Sequence, residues 1–226
     1  MKRIAIFATA ACLLAGCAAL PTPAPSAPPQ RDWFIFLETG KPTPPDKEAV
    51  AAMQRGHIAN FQRLFGEKKL FAAGPLRDPA KVKRGIVVVK AATREELAGY
   101  FVPDDYVREG YMTLNAEPAR VEKALNHEGI DPNGIEEVRI ALLMRPTTAQ
   151  AERDQAAGEA VLRELVARGV FGAWYRPESG AVAEILFANS RDDATLMAAL
   201  AAHPGVQSKS MRAAVWGQWL SRGVVR

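Results

Sequence analysis

The sequence predicts an α+β protein built from two copies of one β-α-β-β-α-β unit. Three observations carry this. From Trp33 to Glu117, short β-branched or aromatic runs alternate with segments of helical period. From Val138 to Trp219 the same order recurs. The two stretches are offset by about 100 residues, the size of one small domain.

The first copy starts with a strand over Trp33–Leu37. Thr43, Pro44 and Asp46 supply a capping residue, a proline for the first helical position and an early acid, which predicts a helix. Val50, Met53, Ile58, Phe61, Leu64 and Phe65 give that helix its apolar stripe, and His57 lies on it, four residues from Met53 and from Phe61. Phe71–Leu76 reads as a strand closed by Gly74-Pro75, and Gly85–Lys90 as a β-branched strand. Thr93 and Glu96 form a capping box before Leu97 and Tyr100. Tyr111–Glu117 is the last strand.

Residues 119–137 read as a connector, with turn chemistry at Asp131-Pro132-Asn133-Gly134. In the second copy, Val138–Met144 is a strand, and Thr147 with Gln150 caps a helix that Gly169 stops. Val170–Arg176 and Ala181–Ala188 are strands joined by the turn Pro177–Gly180. Ser190 and Asp193 open a further helix, and Ser210–Trp219 holds the final strand.

The order β-α-β-β-α-β is the split, ferredoxin-like motif. One such unit leaves one sheet face bare. The expected architecture is therefore two tandem ferredoxin-like units, 31–118 and 138–226, packed as an intrachain pseudo-dimer. Their sheets would face each other around a pocket. In the competing arrangement each unit pairs with another chain, and the oligomeric state stays open.

The N-terminus carries a different signal. Lys2 and Arg3 precede the apolar run Ile4–Ala15, and Leu14-Ala15-Gly16-Cys17 closes it. About 20 apolar residues are needed to span a bilayer, so residues 1–16 read as a cleaved signal peptide. Cys17 is the expected lipidation site, with an ordinary secretory signal as the rival reading. Residues 17–30 then form a proline-rich tether. This places the protein on the bacterial cell envelope, facing the periplasm through a lipid anchor. Ala18, where aspartate would favour retention at the inner membrane, points to the outer membrane.

Composition narrows the chemistry. Losing Lys2 and Arg3 with the signal reduces 29 Lys and Arg to 27, against 25 Asp and Glu. No basic run interleaved with aromatics is present, so nucleic acid is not an expected partner. Cys12 leaves with the signal and Cys17 is acylated, so no thiol remains for a disulfide, a nucleophile or a metal. His57, His127 and His203 are scattered, without metal-ligand spacing. Neither a glycine-rich phosphate loop nor a Gly-x-Ser-x-Gly elbow occurs. No cofactor is expected. Trp216 and Trp219 read as packing anchors, Arg139 and Arg145 as solvated strand ends, and His127 as exposed.

The first copy holds His57, then Leu70-Phe71-Ala72-Ala73-Gly74-Pro75-Leu76, then Gly85-Ile86-Val87-Val88-Val89, then Asp104-Asp105-Tyr106-Val107-Arg108-Glu109-Gly110. In these motifs it resembles the YCII-related domain family of the dimeric α/β-barrel superfamily. Asp105 stands where the family pattern has proline, a departure that loosens the turn. The resemblance implies that His57 and Asp104 share a pocket as an acid/base pair. The second copy aligns Ala157 with His57 and His203 with Asp104, so it lacks both members of the pair. On the bland reading, His57 bonds a backbone carbonyl under the sheet while Asp104 and Asp105 cap a turn.

Two functions follow as expectations. One is a membrane-anchored, cofactor-independent lyase or isomerase acting on a small cyclic or aromatic compound, with His57 as acid/base and Asp104 orienting it. The alternative is a non-catalytic ligand-binding or interaction module of the cell envelope.

Overall fold

The computed structural model describes residues 28–226. The signal segment 1–16, Cys17 and the tether as far as residue 27 lie outside the described residues.

The elements run β1 (Arg31–Thr39), α1 (Lys47–Gly66), β2 (Leu70–Pro75), β3 (Lys83–Ala91), α2 (Arg94–Tyr100), α3 (Asp105–Arg108) and β4 (Met112–Lys123) in the first half. The second half runs β5 (Asp131–Met144), α4 (Ala149–Ala167), β6 (Ala173–Pro177), β7 (Val182–Ala188), α5 (Asp193–Leu200), α6 (Pro204–Gln207) and β8 (Ala213–Arg222). All eight strands form one antiparallel sheet in the order β2-β3-β1-β4-β6-β7-β5-β8. β4 pairs with β6 and joins the halves. At the opposite seam, β2 reaches β8 through the Leu76–Gln218 bridge and a bond from Arg77 N to Gly217 O of 2.8 Å. The result is a nearly closed α/β barrel.

Gly74 makes the seam possible. A Cβ there would overlap the Trp219 carbonyl oxygen, so only glycine lets the two backbones approach so closely.

The strands alternate, and each face has its own core. Inward residues from all eight strands fill the barrel, with Phe34 close to Phe36, Tyr175 and Phe187. The Tyr175 hydroxyl accepts a bond from Leu125 N at 2.9 Å. Outside, α1 and α2 cover β1 and β3 around Ile35, Val87 and Phe101. The helices α4 and α5 cover β5 and β7 around Leu162, Trp174 and Leu186.

Several expectations change. The barrel interior between the halves is not a ligand pocket: aromatic and aliphatic side chains occupy it. The connector shrinks to residues 124–130, because β4 extends through Lys123 and β5 begins at Asp131. In that extension Ala119 and Val121 face inward while Arg120 and Glu122 make ion pairs; the alternation lies under a charged surface. The Asp131–Gly134 turn becomes an irregularity within β5, with Asp131 Oδ1 accepting from Asn133 N at 3.0 Å. The first helix starts at Lys47, capped by Asp46, rather than at Thr43-Pro44. Pro45 bars helical geometry at Pro44, so the helix forms only beyond the proline pair. Thr148 and Asp192 cap α4 and α5, one and two residues later than expected.

Candidate functional site

His57 belongs to the buried stripe Met53, His57, Asn60 and Leu64 of α1. Asp104 is the N-cap of α3, and its Oδ1 accepts from Tyr106 N at 3.1 Å. Its other oxygen, Oδ2, lies 2.6 Å from His57 Nδ1. Asp104 is wholly buried and His57 is 8% exposed. The carboxylate can only accept, so Nδ1 carries a hydrogen, and in the neutral ring the lone pair lies on Nε2. The Phe61 ring lies 4.3 Å from the imidazole, centroid to centroid, and the Tyr106 ring meets it edge-on at 5.5 Å. The bland alternative for His57, a bond to a backbone carbonyl, is not what the structure shows. Asp105 does not prevent the turn: α3 forms with Asp105 at its first position and an Asp105–Arg108 ion pair.

His57 lines a cavity of about 500 Å³ between α1 and β2. Phe61 and Phe65 line it from the helix, Ala73 and Gly74 from the strand, and Ile135 from across the seam. Among the described residues His57 has no hydrogen-bond partner other than Asp104. One imidazole nitrogen is therefore held by a buried carboxylate, while the ring borders an apolar, ligand-sized space.

In the second half the matching place is filled. Ala73 pairs with Val87 in β2–β3, and Trp174 holds the matching place in β6–β7, opposite Leu186. By the same register Arg176 replaces Pro75. Trp174 is buried and donates to Glu184 Oε2 at 2.7 Å, while Gln155 donates to Glu184 Oε1 at 2.8 Å. Arg176 lies 3.2 Å from Glu184 and 2.9 Å from Glu159. Burial pushes the Glu184 carboxyl above its ordinary range, against these hydrogen bonds and the Arg176 charge. A tryptophan and an ion-pair network fill the volume that is open under α1.

The lost pair is also visible. His203 caps α6 as Asp104 caps α3, its Nδ1 accepting from Gly205 N at 3.1 Å. The helix residue facing it is Gly158, not Ala157, which is exposed. The correspondence thus shifts by one residue from the sequence alignment. Burial holds the His203 imidazole below its ordinary pKa, and its Nε2 is buried without a partner.

Other residues singled out in the sequence have structural roles. Arg145 donates to the carbonyls of Pro177, Gly180 and Val182, tying the β6–β7 hairpin. Arg139 pairs with Glu137 and Asp193 and is largely covered, so neither is a solvated strand end. Trp216 packs against the barrel core, and Arg77 stacks over Trp219 at 4.8 Å. His127 is exposed. Among the described residues no cluster of three or more His, Cys, Asp or Glu is arranged to hold a metal ion. Sequence reasoning missed the small-residue floor of the cavity; the contrast of Ala73 with Trp174 was its available signal.

No protein-family model matches the chain, and no curated protein matches it in sequence. Among solved structures, a monooxygenase-like protein from Fusobacterium nucleatum superposes with a TM-score of 0.51 at 10% identity, covering 88% of this chain and 97% of that one. The likeness is one of fold. It takes in both halves, since neither alone amounts to 88% of the chain. A monooxygenase-like protein from Lactobacillus acidophilus gives 0.49 at 10% identity, over 87% of this chain and 98% of that one. An anthrone oxidase-like protein gives 0.44 at 13% identity, over 87% and 92%.

Proposed function

We propose that this protein is a small-molecule acid/base enzyme of the bacterial cell envelope, with His57 as the proton-transfer group and Asp104 as its positioning partner. The observation that carries this reading is the 2.6 Å contact between His57 Nδ1 and Asp104 Oδ2 beside an apolar cavity. The buried carboxylate fixes the tautomer and stabilises the imidazolium that forms when Nε2 takes a proton. Such a pair suits elimination or isomerisation: Nε2 removes a proton from an acidic carbon and returns it elsewhere, or the leaving group departs. An apolar ring compound suits the walls.

In this reading the chain is a duplicated, YCII-like protein of two tandem ferredoxin-like units forming a pseudo-dimeric barrel. The shared strand order of the halves supports it. One half keeps the dyad and the other is retained for its fold. Cys17 carries the lipid anchor, and residues 17–30 hold the barrel off the outer membrane.

The test is a thermal-shift screen of small molecules on the full chain and on His57→Gln, followed by mass spectrometry of the stabilising compounds in D₂O. Solvent deuterium should enter those compounds with the wild type and not with His57→Gln, whose melting temperature stays within a few degrees. Compounds that bind both proteins equally and take up no deuterium would favour the rival reading, a binding module.

A further inference from the structure

The side chains lining the cavity beside His57 include an arginine and no carboxylate, and the Asp104 carboxylate lies behind the imidazole. The cavity's polar lining consists of His57, Gln54, Gln62, Ser221 and Arg84, with no aspartate or glutamate among the described residues that line it. Arg84 is exposed at the rim. Its backbone is fixed, since Leu76 N bonds to its carbonyl at 2.9 Å. Its guanidinium makes no ion pair among the described residues, and no other arginine or lysine lines the cavity among them.

Inward from Arg84 the walls are apolar, including Phe61, Leu70 and Phe71. A guanidinium offers a planar fork of donors that matches a carboxylate. An apolar body behind that carboxylate gains burial against the walls. The volume of about 500 Å³ falls within the range of small-molecule sites.

We infer that the cavity takes a monoanionic ring carboxylate, with the carboxylate on Arg84 at the rim and the apolar ring extending inward past His57. This rests on the cavity beside His57 being the functional site, as proposed above. Arg84 acts as a specificity residue and takes no part in proton transfer.

The test uses two probes of the same ring and nearly the same size, anionic 2-naphthoate and neutral 2-naphthamide, titrated calorimetrically into the full chain. The carboxylate should bind at least about tenfold more tightly than the amide, the scale of one charge-assisted contact. Arg84→Gln should bring the ratio to about one and leave amide binding unchanged. Arg77→Gln, whose guanidinium stacks on Trp219 outside the cavity lining, should leave the ratio intact. Ala73→Trp, which copies the plug of the second half, should abolish binding of both probes. Equal binding of the two probes to the wild type, or a ratio that survives Arg84→Gln, overturns the carboxylate assignment but leaves the cavity as a site. Failure of both probes to bind, or binding that survives Ala73→Trp, overturns the inference together with the cavity. A preserved charge preference alongside a null deuterium experiment sinks the acid/base reading alone.

Discussion

Gly158 lies directly beneath the imidazole of His203, where a Cβ would overlap the ring. The first half holds an imidazole on the helix and a carboxylate at the cap of the following turn. The second half holds the imidazole at the cap and nothing on the helix. His203 thus fills the space that a helix side chain would need, and its Nε2 faces protein rather than a ligand.

Gly158→Ala should therefore destabilise the protein. In an unobstructed helix this change gains about 1 kcal/mol. Here the added methyl meets a wholly buried ring, and overpacking costs about 1–3 kcal/mol. Urea denaturation should show a net loss of stability, and the loss should shrink in the Gly158→Ala/His203→Ser double variant. A stabilised Gly158→Ala would mean that the two residues are not in contact.

Asp104 has two separable roles, which two substitutions should resolve. Asp104→Asn keeps an oxygen for Tyr106 N and so retains the cap, but it removes the charge that supports the imidazolium. Turnover should fall by about 10²-fold or more, with stability little changed. Asp104→Ala should also lose the cap, at about 1 kcal/mol. Equal melting temperatures for the two variants would separate α3 capping from Asp104.

Much of this arrangement is legible in the sequence, for physical reasons. The β-branched run at Ile86–Val89 and the apolar stripe of α1 follow directly from period. Thr93 accepts from Glu96 N at 3.1 Å as its capping pattern implies, although the Glu96 carboxylate returns to Ala92 N rather than to Thr93 N. The pairing of His57 with Asp104 is legible only through the family resemblance, since nothing local links residues 47 positions apart. Pattern fails where pairing is long-range. Ala119–Lys123 becomes strand only because β6 lies alongside it. The barrel seam depends on β2 meeting β8, which no local signal encodes. The cavity depends on what is small, and an alanine at residue 73 is uninformative until Trp174 is set beside it.

Gly74→Ala should open the seam. The new methyl would meet the Trp219 carbonyl, part of a backbone held by the β5–β8 ladder. Relief requires the strands to separate, breaking the Leu76–Gln218 bridge and the Arg77–Gly217 bond. The cost should sit at or above the upper end of the overpacking range, about 3 kcal/mol. Hydrogen exchange at Arg77 N should accelerate selectively, while exchange in β1 and β3 should change less. Uniform acceleration throughout the sheet would show that the seam does not open locally.

His203 predicts an acid-sensitive limb of stability. Burial lowers its pKa in the folded protein, and the Asp154 carboxylate offsets this in part. Above the ordinary imidazole value both folded and unfolded chains hold it neutral, and it has no effect on stability. Below that value the unfolded chain takes up a proton that the folded chain resists, so stability falls with pH until the folded-state pKa is reached. The slope is at most about 1.4 kcal/mol per pH unit. His203→Asn keeps an acceptor for Gly205 N and cannot titrate. Denaturant unfolding measured from pH 7.5 to pH 5 should show the wild type losing more stability than His203→Asn, with the difference confined to the acid side of about pH 6.5. Parallel pH profiles for the two proteins would mean that His203 is protonated as readily in the folded barrel as in the unfolded chain.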